Sequence, residues 1–524
     1  MGGVNGVVAA GHPLTARAGA EVLADGGNAV DAAVAAAFSA AVCESALTGP
    51  GAGGYMLYAP VGREAVALDF FVAAPGLDPA TPPLTEAMME AFVVPFGGAD
   101  QVFHIGPASV AVPGMVRGLC EAAERYGRLP LTRLVEPAVA LAREGVEVGV
   151  EVATLFRVLG AMLVHTPECA AVYAPGGTLA AAGDRLTFGD LAHTLEHIGR
   201  TGPSCMDPGG WLGDAIVEHL AGVGGRVTRA DLAAYRVACN APIRRRFRGL
   251  DLRLNPPSSG GGALIAAALA ALDERPPPSG EVAYYAAVAW AGEVANAVRA
   301  DAFSGGLRAH EMPPAAWDEV RRRAAAMVSE TRKPAGSTTH VSVVDADGAM
   351  AGLSSSNGAA SGVVVPGTGV LLNNMMGEED LNPGGFGGVA AGERLASMMA
   401  PVVALRDGVP EVCLGAAGSN RLRSAITQTL VSIVDDGMGV AAAAARPRVH
   451  PEGGGLDVEG GVSSAICAAL EGAGHTLRRW DAANLFFGGV SAVTHRAGIM
   501  DGAGDPRRGG GAYAALANGE VERL

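Results

Sequence analysis

The tetrad Ser337-Thr338-Thr339-His340 joins a polar stretch without a periodic apolar face, Thr331 to Ser337, to the apolar run Val341-Ser342-Val343-Val344. If the peptide bond before Thr338 were cut, one residue would carry both a hydroxyl and a free α-amine. An α-amine has a pKa of roughly 7.7 to 8.0, so near neutrality it can take the proton of its own hydroxyl. This is the N-terminal threonine form of nucleophilic catalysis. The same four residues are also ordinary β-sequence, because threonine favours strands. A second candidate is the loop Thr48-Gly-Pro-Gly-Ala-Gly-Gly54, which either lets backbone approach a site or tightly connects a helix to the strand at Tyr55. It is not a phosphate loop, since no Gly-Lys-Ser/Thr follows and a helix precedes it where a strand should.

The elements around these candidates are legible in outline. Thr15 to Ala24 reads as one helix, stopped by Gly26-Gly27, and Asn28 is placed to cap a second through Cys43. From Val110 to about Arg246 the texture is helical, with stops at Gly127 and Gly145 and two helices flanking Gly224-Gly225. Pro256 to Gly262 is a loop before an apolar helix, Ala263 to Leu272, and helices continue to about Ser329. The pattern then changes. Thr338 to Asp345, a turn at Asp347-Gly348, and Met350 to Ser354 form a hairpin. Further strands are expected at Gly369–Asn374, Pro401–Leu405, Glu411–Leu414, Leu456–Val458 and Gly489–Thr494, with a helix from Arg421 to Val440. Helix-rich sequence followed by strand-rich sequence points to one mixed α+β unit with sheets in the middle layers.

Composition excludes several classes. A length of 524 residues calls for a large fused unit or two to three domains, and 49% apolar against 17% charged residues is a globular balance. The net charge of −15 repels nucleic acid and anionic lipid, so neither is an expected partner. Arg244-Arg245-Arg246 and Arg321-Arg322-Arg323 read as solvated faces. Seven scattered cysteines contain no CxxC pair, so neither a metal site nor a disulfide framework is expected, and no cofactor motif is present. Ala32 to Val42 is about 11 residues, short of the roughly 20 that span a bilayer. The first residues lack a signal-peptide pattern, which gives the expectation of a cytoplasmic protein.

Eight ordered blocks resemble the γ-glutamyltranspeptidase family and together cover essentially the whole chain. They are His12-Pro-Leu through Gly26-Gly-Asn-Ala-Val-Asp-Ala-Ala33, Ser109 to Gly114, Tyr126 to Pro130, Asp231 to Arg236, Pro256 to Gly261, Thr338-Thr-His through Asp345, Gly369 to Asn374, and Asp505-Pro-Arg-Arg508. The resemblance implies an Ntn-hydrolase fold, an αββα four-layer sandwich. It also implies a precursor that cuts itself between Ser337 and Thr338 into a large part, 1–337, and a small part, 338–524. These would stay together as an αβ heterodimer, and pairing of two heterodimers is left open. Thr338 matches the family nucleophile, Ser356 the hydroxyl residue that supports it, and Gly418-Ser419 the paired-glycine oxyanion loop, with serine in place of the second glycine.

Substrate-binding positions depart from the family pattern. Phe71 stands where an arginine clamps the γ-glutamyl α-carboxylate, and the helping serine pair becomes Ser397 and Met398. Beyond Asn374, Met375 replaces a polar contact and Glu378 an aspartate that hold the α-ammonium, while Asn357 matches an asparagine contact if one residue is deleted. Losing the guanidinium leaves a substrate carboxylate unpaired. The implied activity is a threonine hydrolase or acyltransferase with a small-molecule acyl donor and water or an amine as acceptor, its pocket altered from γ-glutamyl binding. The alternatives are a true γ-glutamyltransferase, an acylase or carbon–carbon bond hydrolase, and an inactive binding relative. An arginine from elsewhere, for instance Arg117, would restore the clamp.

Overall fold

A computed structural model describes residues 3–95, 100–305, 338–382 and 384–524. Ser337, Arg321–Arg323, the helical expectation beyond residue 305 and the polar stretch before Thr338 lie outside the described residues. Fourteen strands make up the two large sheets. Six precede residue 338: β1 (Val4–Ala10), β2 (Gly53–Ala59), β3 (Val66–Phe70), β4 (Ala238–Asn240), β5 (Ile243–Phe247) and β6 (Leu250–Leu254). Eight follow it: β7 (Thr339–Asp345), β8 (Met350–Ser356), β9 (Val402–Arg406), β10 (Val409–Ala417), β11 (Gly489–Arg496), β12 (Ile499–Gly504), β13 (Gly511–Leu516) and β14 (Val521–Arg523).

The first sheet runs β14-β13-β1-β7-β8-β2-β3-β4, the second β12-β11-β10-β9-β6-β5. Their facing sides bury Val7, Leu57, Val344, Met350, Val403, Cys413 and Val493 against one another. Helices cover the outer faces. On the first sheet lie α1 (Pro13–Ala24) and α2 (Ala29–Cys43); on the second lie α3 (Gly261–Asp273) and α4 (Leu422–Val434). This is the αββα sandwich that the resemblance implied.

Local chemistry explains why these elements form. Asn28 Oδ1 accepts from the backbone N–H of Val30 and Asp31, while Asp31 accepts from the Asn28 N–H, so a capping box starts α2. Every residue of that alanine-rich helix is buried, which accounts for its membrane-like composition. Among the described residues no helix is long and apolar enough to cross a membrane. Arg244 and Arg246, on β5, pair with Glu64 and Asp251 at the surface, as a solvated face should.

The amino-terminal run Val4–Ala10, for which no element was expected, is a central strand between β13 and β7. Conversely, the strand expected at Gly369–Asn374 shrinks to Val370–Leu371. Its asparagines instead brace loops: Asn373 donates to the carbonyls of Gly51 and Ala111, and Asn374 Oδ1 accepts from the Ala359 N–H at 2.8 Å.

Candidate active site

Antiparallel pairing of β7 with β8 sets Thr339 opposite Ser355, so the next step along both strands brings Thr338 beside Ser356. Thr338 is buried, and it opens onto a cleft of about 430 Å³. Phe71, Ser356, Met375, Glu378, Ser397, Met398 and Ser419 stand on the walls of that cleft. Residues separated by more than three hundred positions in the chain thus converge on the hydroxyl singled out in the sequence. Asp380, Leu381, Met399, Asn420 and Leu422 complete the wall. Of these, Asp380 lies two residues beyond Glu378 in the chain.

Three expected residues are not on the wall. Asn374 spends its side chain on backbone, donating also to the His104 carbonyl at 3.4 Å. Asn357 is fully buried one residue beyond Ser356, and neither amide atom finds a hydrogen-bond partner among the described residues. Gly418 lies behind Ser419 at the junction of β10 with the 3-10 turn that enters α4. The junction is strained: Gly418 has φ 125° and Ser419 φ 50°, a left-handed conformation that costs a non-glycine residue on the order of 1 kcal/mol. Such strain at a strand-to-helix turn is characteristic of sites where backbone N–H groups must be aimed.

The Phe71 position is rigid. Its ring stacks on Tyr55 with centroids 5.4 Å apart, its N–H donates to Asp69 Oδ1 at 2.9 Å, and its carbonyl accepts from the Tyr235 hydroxyl at 2.7 Å. Two arginines that could supply a guanidinium there are held elsewhere. Arg117 is committed to the carbonyls of Met206 and Leu232 and to Asp207, and Arg394 to Asp69 while lying over the Tyr235 ring. No arginine stands on the cleft wall among the described residues.

Carboxyl groups are concentrated at the opposite wall. Burial, and secondly the neighbouring Asp380, push the Glu378 carboxyl up to about 8. Asp380 is held by Arg299 at 3.6 Å and by the Asn420 amide at 3.3 Å. An unfolded glutamate loses its proton near 4.3, so between roughly 4.3 and 8 the folded chain binds one more proton than the unfolded one. Stability from this group is therefore complete below the lower value and falls as pH rises through the window. Glu378→Gln, which has no proton to lose, should gain on wild type between pH about 5 and about 8.5 by roughly 4 kcal/mol. Thermal melts of both proteins across that range measure it, and a constant difference would contradict the buried-acid assignment.

Among the described residues no group of three His, Cys, Asp or Glu side chains could hold a metal ion. His340, buried next to Thr339, is pulled down to about 3 by burial and is held between the hydroxyls of Ser354 and Ser342, at 2.7 and 2.9 Å. It is a neutral structural group.

Comparison with known proteins bears on the family and the fold. A family model described as Gamma-glutamyltranspeptidase matches residues 15–515. The chain is 33% identical to the Acylase ACY 1 proenzyme of Pseudomonas sp. (strain SE83), over 91% of this chain and 88% of the relative. It is 29% identical to the glutathione hydrolase proenzyme of Escherichia coli (strain K12), over 96% and 90% respectively. Among solved structures, the cephalosporin acylase from Bacillus halodurans superimposes with a TM-score of 0.84 at 26% identity, covering 98% of this chain and 96% of that one.

Proposed function

The chain belongs to the gamma-glutamyltranspeptidase family of Ntn hydrolases, and we propose that it is a self-processing threonine acylase whose acyl donor lacks the γ-glutamyl α-carboxylate. The observation that carries this reading is the composition of the cleft at Thr338. It has a hydroxyl neighbour, Ser356, and Ser419 of the turn, but two carboxyl groups and three apolar side chains stand where a carboxylate clamp would be needed.

In this reading the Ser337–Thr338 bond is cut, giving parts 1–337 and 338–524, and the new α-amine serves the Thr338 hydroxyl as base. Oγ attacks the acyl carbonyl, and the oxyanion is met by backbone N–H groups of the Gly418-Ser419 turn. The leaving amine departs with the proton taken from the hydroxyl. Water or a second amine then releases the acyl group. Glu378 and Asp380 suit a cationic group on the acyl chain, while Phe71, Met375 and Met398 pack its hydrocarbon. Two observations favour an acylase over a γ-glutamyltransferase: the packed Phe71 ring, and the acylase names carried by the Pseudomonas and Bacillus relatives.

Acid quenching of the protein mixed with 4-aminobutyryl p-nitroanilide, followed by mass measurement, tests the covalent step. The fragment beginning at Thr338 should gain one acyl group. An unmodified fragment during steady release of nitroaniline would rule out the acyl-enzyme.

A further inference from the structure

The turn that follows α2, residues 44–48, is buried and reaches both strands of the hairpin that carries Thr338 and Ser356. Its first residue, Glu44, accepts the Thr339 hydroxyl of β7 at 2.6 Å. The Leu47 carbonyl accepts the Asn357 N–H at 2.8 Å, and the Thr48 hydroxyl lies 2.8 Å from that of Ser355 on β8. One short turn thus holds the residue after Thr338 and the residues on both sides of Ser356. Glu44, Ala46 and Leu47 also stand with Thr338 on the wall of a second cavity, which places the turn beside the nucleophile.

Glu44 is an expensive choice of partner. A carboxyl taken into the interior loses its water, and burial raises its pKa, while the hydroxyls of Thr339 and Thr15 and the charge of Arg508 oppose that rise. Thr15 donates to its other oxygen at 3.0 Å. A side chain at Gly11 would come within 2.5 Å of Glu44 Oε2 and 2.9 Å of Thr339 Oγ1, so glycine leaves the contact its room. A threonine hydroxyl in a strand needs no carboxylate for folding, since a backbone carbonyl satisfies it. Ser356 is fixed at one remove. Its Oγ accepts from the Gly358 N–H at 2.9 Å, and the loop bearing that N–H hangs on the Leu47 carbonyl through Asn357.

We propose that the turn 44–48 positions the nucleophile: Glu44 acts through Thr339, and Leu47 and Thr48 act through Asn357 and Ser355, to set the direction of the Thr338 hydroxyl and its separation from Ser356. The turn lies before residue 338 and its targets after it, so the part that lacks the nucleophile supplies its alignment. These are positioning residues, acting through neighbours. A misplacement of about 1 Å can lower a rate roughly 10²-fold. The inference rests on Thr338 as the reacting residue.

Thr339→Val keeps the shape and strand preference of threonine but removes its hydroxyl, whereas Thr339→Ser keeps the hydroxyl. Pulse-labelled precursor followed on a denaturing gel reports self-cleavage. Turnover of 4-aminobutyryl p-nitroanilide, per site counted by the mass of the acylated fragment, reports catalysis. Thr339→Val should slow cleavage about tenfold or more, and in the cut fraction kcat should fall about 10²-fold with KM kept within about threefold. Thr339→Ser should recover both rates to within about threefold. Cleavage needs no substrate, so it tests the turn even where the anilide is a poor donor. A merely structural contact would lower the melting temperature of Thr339→Val and leave cleavage and kcat per site at wild-type values. That result, or Thr339→Ser as slow as Thr339→Val, overturns the proposal. A wild type that stays uncut removes Thr338 as the reacting residue and the proposal with it; a wild type that cuts beside an equally fast Thr339→Val removes the positioning role alone. Should Thr339→Val not fold, Thr48→Val decides through the other strand: slowed cleavage with KM kept supports the turn, and wild-type rates overturn it.

Discussion

Thr338→Ala should migrate on a denaturing gel as a single chain of 52.5 kDa, whereas the wild type should give two bands. Division of 524 residues at Ser337/Thr338 leaves 337 and 524 − 337 = 187, or about 34 and about 19 kDa by proportion. In the proposed mechanism self-cleavage and acyl transfer use the same Oγ, so alanine should remove both, with a fall in turnover on the order of 10⁴-fold or more. Thr338→Ser keeps the oxygen and should still cleave, more slowly. The result that would sink the mechanism is a wild-type protein that stays in one band. That outcome would favour the inactive binding relative.

The second large effect concerns the acyl donor. Three anilides separate the groups that matter: γ-glutamyl, with α-carboxylate and ammonium; 4-aminobutyryl, with the ammonium alone; and glutaryl, with the carboxylate alone. A carboxylate driven into the cleft would meet Phe71, Met375 and Met398, with Glu378 and Asp380 beyond. An unpaired buried charge costs about 3 kcal/mol or more, which is roughly 10²-fold in kcat/KM. The expected order is therefore 4-aminobutyryl first, with both carboxylate donors at least about a hundredfold lower. Rapid turnover of γ-glutamyl p-nitroanilide would restore the true γ-glutamyltransferase reading. Phe71→Arg offers a complementary check, since a guanidinium there should narrow the gap if the ring creates it.

Much of this site was readable from residue order because it depends on local grammar. A threonine at the mouth of a strand, a hairpin turn at Asp347-Gly348 and a helix capped by Asn28 are all nearest-neighbour effects, and the structure contains each of them. The hairpin register alone brings Thr338 to Ser356. What sequence reading missed is long-range. Nothing local distinguishes Val4–Ala10 from a loop, since its strand character comes from partners more than three hundred residues away. Asn357 and Asn374 sit beside the site in sequence yet not on the cleft wall: Asn374 is held by backbone and Asn357 is fully buried.

The strand order of the two sheets has a consequence for the proposed cut. Strands from before and after residue 338 alternate at β13-β1, β1-β7 and β8-β2 in one sheet and at β9-β6 in the other. No plane separates the two parts, so losing one covalent bond does not release them. Refolding is another matter. A chain that folded as one molecule would, once divided, have to reassemble from two, so recovery from denaturant becomes a second-order process that weakens on dilution. The mature protein would then persist because it unravels slowly, with the instruction for building it erased by its own first reaction.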